Sequence, residues 1–239
     1  MNRTYSLAAL CMALAQWSCQ SPLSNTDITD PSTLEPQIQV IKYTDSTGSL
    51  YNYRADIYDQ QARYIELKGG GVSVNGEQLI LVRSLLGSYY LTDDHIIKYQ
   101  LNTKYNFIIT LSDGSQYASS VTTPSTELSN FVVPSEQAKT QIMRVSWTNP
   151  DTSATMYLIL AIYFNTDTSS GVQSSKVLIP NPRLGTFDLQ PSDFLAKQGT
   201  STAIDITLNS EDPGQINSRF FLGSRAYSHQ MITKSINLK

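Results

Sequence analysis

Lys104-Tyr105-Asn106-Phe107-Ile108-Ile109-Thr110-Leu111-Ser112-Asp113-Gly114-Ser115-Gln116-Tyr117-Ala118-Ser119-Ser120-Val121-Thr122-Thr123-Pro124 is the stretch that decides the fold. Tyr105, Phe107, Ile109 and Leu111 fall on one side of an extended chain; Asn106, Ile108 and Thr110 fall on the other. Side chains alternate across a strand, so this spacing predicts a strand with one buried face. Asp113-Gly114 is a tight-turn dipeptide, and Tyr117, Ser119 and Val121 form the returning strand. Proline has no N–H to give a ladder, so Thr122-Thr123-Pro124 ends the hairpin.

Upstream the texture is the same. Ile38, Val40 and Lys42-Tyr43 read as a first strand, and Tyr53, Ala55 and Ile57 alternate with Arg54 and Asp56. Tyr64-Ile65-Glu66-Leu67 reads as a further strand. Asn75-Gly76 permits positive φ at both positions and joins Val72-Ser73-Val74 to Leu79-Ile80-Leu81-Val82. Tyr89-Tyr90-Leu91 and His95-Ile96-Ile97 read as short strands about Asp93-Asp94. Gly69-Gly70-Gly71 is no phosphate loop, because no Gly-Lys-Ser/Thr follows it and no helix starts after it. Short strands and turn signals over 37–124 predict an immunoglobulin-like sandwich.

Residues 125–139, with Pro134 and several Ser and Glu, read as a linker. A second body over 140–239 opens with Met143, Val145 and Trp147 on one face. Trp147-Thr148-Asn149-Pro150 resembles the second strand of fibronectin type III-like domains. Met156 to Phe164 is a nine-residue apolar run, too short for a bilayer and suited to a buried central strand. Ser174 to Ile179, Thr186 to Leu189, and Ile204, Ile206 and Leu208 add strands, and Pro191 to Lys197 reads as one helical turn. Arg219 to Tyr227 and Met231 to Leu238 read as a closing hairpin, with no third domain after it. The predicted fold class is all-β: two tandem immunoglobulin/fibronectin type III-like β-sandwich domains after a cleaved leader and a tether.

The start of the chain carries the other signal. Arg3 precedes the uncharged run Leu7 to Ala15, and small Ser18 precedes Cys19. This is the layout of a secretory signal over 1–18. Nine helical residues reach about 14 Å, short of a bilayer core of about 30 Å, so the run inserts and is cut. A signal ending Ser-Cys resembles a bacterial lipoprotein signal, which implies a diacylglyceryl group on Cys19. An ordinary secreted protein with Cys19 near the cut is the alternative. Cys11 leaves with the leader, so Cys19 is the single thiol of the mature chain. That excludes an internal disulfide and any thiolate zinc site. Residues 19–36, rich in Pro, Ser, Thr and acid, read as a lipidated tether with a reach of roughly 20–25 Å.

Composition narrows the partners. The formal charge is −3, and loss of Arg3 makes it one unit more negative. Nucleic acid wants a basic face, so it is not an expected partner.

The segment Lys104 to Pro124 is similar to the central stretch of uncharacterised two-domain lipoproteins of Bacteroidetes, and the resemblance spans roughly Tyr89 to Pro124. There a Tyr-x-Leu-x-Ile strand meets a glycine turn and a Tyr/Ala-Ser return running to proline. The glycine-rich C-terminal pattern of that family is not found here. Many such lipoproteins are encoded beside TonB-dependent receptors, which implies an outer-membrane lipoprotein, periplasmic or surface-exposed. The partners implied are the membrane, through the lipid, and an outer-membrane receptor or a surface glycan.

Chemistry is sparse. Asp93 and His95 share a strand face, but Asp94 points away, and a polar turn is the simpler reading. Tyr227-Ser228-His229 lacks a Gly-x-Ser-x-Gly elbow. Glu211-Asp212 before Pro213-Gly214 reads as a turn rather than a glycosidase pair. Asp27, Asp30, Asp113 and Asp167 lack calcium-loop spacing. No enzyme activity, cofactor or metal is expected. The tyrosines stand out: 14, against 7 Phe and 2 Trp. Tyrosine gives large contact area at low entropic cost, so Tyr51, Tyr53, Tyr58, Tyr89 and Tyr90 are candidates for an aromatic binding surface. Half-exposed filling of strand positions, which β propensity favours, is the simpler account of them. The expected function is a non-catalytic protein-binding or assembly module; the alternative is a carbohydrate-binding lipoprotein of a glycan-uptake system.

Overall fold

A computed structural model describes residues 27–85, 87–148 and 154–239. The leader, Cys19 and the first part of the tether lie outside these residues. In chain order the first strands are β1 (Leu34–Thr44), β2 (Ser49–Asp59), β3 (Gly71–Val74), β4 (Glu77–Gln78), β5 (Ile80–Ser84) and β6 (Gly87–Asp93). Then come β7 (Lys104–Thr110), β8 (Gln116–Thr122), β9 (Ser129–Val132), β10 (Glu136–Gln137) and β11 (Met143–Thr148). The chain continues with β12 (Thr155–Asn165), β13 (Ser170–Leu178), β14 (Thr186–Leu189), a short helix α1 (Pro191–Phe194), β15 (Thr200–Pro213) and β16 (Arg225–Leu238). The protein is all-β, as its alternating patterns predict.

The strands form one long sheet and two small ones. The long sheet runs β13-β12-β15-β16-β1-β2-β6-β5, with β10 also pairing β16. The small sheets are β4-β3-β7-β8 and β14-β11-β9. The first core unites Ile38, Val40, Tyr53 and Ile57 of the long sheet with Val72, Val74, Tyr105, Phe107 and Ile109 of the four-stranded sheet. The second unites Leu158, Leu160, Ile204, Ile206 and Leu208 with Met143, Val145, Trp147 and Leu189, and Phe194 of α1 closes it.

β16 belongs to both. Its even-numbered residues, exposed Lys234 excepted, face inward: Ala226 joins the first core, and Ile232, Ile236 and Leu238 join the second. It pairs parallel with β1 from Gln37↔Arg225 to Thr44↔Ile232 and antiparallel with β15 from Ala203↔Asn237 to Pro213↔Tyr227. One strand face therefore serves both sandwiches, and both small sheets cover the same side of the long sheet. Between the cores that side is polar. Gln230 accepts the Leu128 N–H at 2.6 Å, and Lys42, its register partner, pairs with Glu127 at 2.7 Å.

Several segments differ from their sequence reading. Part of the expected tether is built in: Leu34 is fully buried, and Ile28 exchanges hydrogen bonds with Ser112. Pro36 fits in β1 because pairing to β16 starts only at Gln37. The expected linker, 125–139, carries β9 and β10 and buries Leu128 and Phe131 in the second core. The expected closing hairpin is one unbroken strand, β16. His95 to Ile97 form a turn after β6, in which Asp93 Oδ1 accepts the His95 N–H at 3.0 Å.

Candidate functional site

The covered side of the long sheet is core, so the opposite side is where chemistry or binding can occur. On β12 the residues facing it are Tyr157, Ile159 and Tyr163; on β15 they are Asp205, Thr207, Asn209 and Glu211. Those of β16 are Tyr227, His229, Met231 and Thr233. Register sets Tyr157 beside Asn209 and Glu211 beside His229.

These side chains bond to one another. The Tyr157 hydroxyl donates to Glu211 Oε1 at 2.5 Å, and the Lys176 ammonium lies 3.6 Å from the centre of the Tyr157 ring. Asn209 donates through Nδ2 to the Thr207 carbonyl at 2.9 Å. That fixes its amide, so Oδ1 faces His229 Nε2 at 2.9 Å and the ring donates. Burial holds the His229 pKa below its usual value; Glu211 opposes this and Lys176 reinforces it. The imidazole is therefore neutral near pH 7, and its 4.0 Å approach to Glu211 is not an ion pair. Burial first, then the Glu211 hydrogen bond and charge, push the Tyr157 phenol far up. Burial and Glu211 push Tyr227 up to about 12. Beyond Glu211 the face opens into a cleft of about 370 Å³, walled by Thr155, Glu211, Pro213, Arg225 and Tyr227.

Acid–base work needs a group free to exchange a proton with substrate. Here Glu211 accepts from a tyrosine and His229 donates to an amide. Ser228 and His229 point to opposite faces, as neighbours on a strand must, and Ser228 is buried on the covered side. Among the described residues no group of three or more His, Cys, Asp or Glu is placed to hold a metal. No described helix is long and apolar enough to cross a membrane.

The candidate tyrosines divide between the two sides. Tyr53 and Tyr90 are buried in the first core, and the Tyr90 hydroxyl accepts the Leu67 N–H at 2.8 Å. Tyr51 faces the same side, stacked on Tyr99 at 4.7 Å. Only Tyr58 and Tyr89 face the open side. Tyr89 lies under the Arg54 guanidinium at 4.1 Å, and Arg54 is clamped by both oxygens of Asp56. Tyr157, Tyr163 and Tyr227 join them there, on a face that only strand register across fifty or more residues sets. Glu211, read as a turn residue, stands in β15.

No family model matches the chain, and no curated protein does. Among solved structures, the chain is similar to the crystal structure of chicken CNTN1 FN1-FN3 domains, with a TM-score of 0.28 and 13% sequence identity. That similarity covers 86% of this chain and 68% of the other.

Proposed function

We propose that the protein is a lipid-anchored module of the cell envelope, acylated at Cys19, that binds a partner protein and catalyses nothing. The observation that carries the binding role is the open side of the long sheet. Both small sheets and α1 lie on its other side, and Tyr157, Tyr163, His229 and Arg54 are held in place by hydrogen bonds to Glu211, Asp205, Asn209 and Asp56. Tyrosine and arginine set in fixed positions on a flat face are what protein interfaces enrich. An outer-membrane receptor is the partner class this reading favours. Carbohydrate binding is the second reading, favoured by the cleft where Glu211, Arg225 and Tyr227 meet.

Two experiments test it. Cells fed labelled palmitate should label the chain and fail to label Cys19→Ser; label on neither sinks the anchor. A photo-crosslinking residue placed at Tyr227 or Gln39, on the open side, should join the chain to one envelope protein. The same residue at exposed Asp113, in the hairpin turn, should not. Equal capture at all three, or retention on a glycan array lost in Glu211→Gln, would replace the protein partner.

A further inference from the structure

β13 ends the long sheet, and its outer edge meets no other strand among the described residues. A row of free N–H and C=O groups templates pairing, so proteins guard edges with proline, charge, bulges or short length. β13 has little guard on its open side: α1 and Lys197 pack against it from the covered side, where the Lys197 N–H donates to Gln173 Oε1 at 3.0 Å, and Val172 and Leu178 stay exposed. Its nine residues contain no proline and pair with β12 without a register break. Its one charge, Lys176, turns back over the Tyr157 ring on β12 and so away from the edge. The opposite edge strand, β5, has five residues and carries Arg83, which is tied to Glu66.

The side chains of β13 on the open face are Val172, Ser174, Lys176 and Leu178, and Val172 and Leu178 are 57% and 63% exposed. Tyr163 and Tyr157 stand beside them in register. We propose that β13 pairs antiparallel with β13 of a second copy, about a two-fold axis through Ser175. In that register Val172 of each copy lies opposite Leu178 of the other, Ser174 opposite Lys176, and Ser175 opposite itself. The result is an apolar row, Tyr163-Val172-Leu178-Tyr157, that crosses between copies on each side of the axis. Neighbouring registers are worse. An axis through Lys176 sets like charges face to face, and an axis through Ser174 sets Val172 against Lys176 and Leu178 against Ser170. The strand is thus complementary to itself in one register, which is why a second copy is the occupant. This pairing leaves the open face free and does not depend on what binds there.

Disulfide trapping tests the register. Residues directly opposite on antiparallel strands have Cα atoms about 4.5–5.5 Å apart, within disulfide range; a diagonal pair two positions out of register, as the two Ser174 would be, lies about 7–8 Å apart, outside it. In envelope membranes of cells making the full chain, mild oxidation of Ser175→Cys should give a dimer that reducing agent removes. Wild type and Ser174→Cys, the more exposed position, should give none. Adding Val172→Lys to Ser175→Cys should reduce the dimer to the Ser174→Cys background, while Val172→Leu should keep it. Unchanged Trp147 fluorescence would show each variant folded. Absence of the Ser175→Cys dimer in folded protein, an equal Ser174→Cys dimer, or indifference to Val172→Lys would overturn the proposal.

Discussion

Replacing Phe107 by alanine should unfold a tryptophan that lies in the other core. Phe107 is fully buried in β7, in the first core, and Trp147 is 5% exposed in β11, in the second. Phe→Ala in a packed core costs about 3–5 kcal/mol, counting both lost transfer energy and the cavity left behind. In a chain of this size each kcal/mol moves the midpoint by about 2–4 °C, so the melting temperature should fall by roughly 6–20 °C. With independent sandwiches, that loss would fall on the first alone. β16 makes independence costly, because opening the first core frees its pairing with β1 and unseats Ala226 on a strand that also carries Ile232, Ile236 and Leu238. Trp147 is the one tryptophan among the described residues, so its fluorescence follows the second core. The assay is a thermal melt read at Trp147 and by far-ultraviolet circular dichroism. Both should shift together in Phe107→Ala. A Trp147 transition that stays put while the dichroism melt splits in two would refute the coupling.

Other perturbations follow from the same contacts. Lys42 is buried and Glu127 half-exposed, so Glu127→Ala should cost about 1–3 kcal/mol by stranding a charge, while Lys42→Met should cost less; urea midpoints in the reverse order would refute this. His229 binds its proton more weakly folded than unfolded, so the unfolded chain holds more protons just below pH 6.5 and stability should fall as pH falls through that value. His229→Gln should flatten the upper part of that slope, by at most about 1.4 kcal/mol per pH unit, in urea titrations. Gly70→Ala would set a Cβ 2.0 Å from the Thr110 carbonyl oxygen, which cannot swing aside, and should cost about 1–3 kcal/mol. Gly71→Ala meets only the flexible Gln78 side chain at 3.5 Å, and its denaturation midpoint should barely move.

What sequence could reveal here was local. The hairpin over 104–122 reads correctly because turn and period lie within twenty residues: Tyr105, Phe107, Ile109 and Leu111 are all buried, and Gly114 takes φ +83°. Asn75 and Gly76 both take positive φ, as that dipeptide predicts. Met143, Val145 and Trp147 share a buried face, and Met156 to Phe164 lies between two strands. Register between distant strands was not legible, because any two alternating segments can pair. Nearness in sequence therefore does not group the candidate aromatics: Tyr89 and Tyr90, being adjacent on a strand, take opposite sides.

The misread of β16 has a physical cause that also explains the architecture. On its inward face the residues run Ala226, Ser228, Gln230, Ile232. Two polar residues in a buried row look like a turn between two strands, which is how they read. They are polar because they stand where one small sheet ends and the other begins. Gln230 there meets a backbone N–H at Leu128, and Lys42 beside it meets a carboxylate. A continuous apolar row at that point would have had no sheet above it, and water or a foreign surface would have filled the gap. Gln230 and Lys42, each held by a partner, close the seam and leave the long sheet unbroken. The two sandwiches are held by a strand they share, with polar side chains marking the line between them.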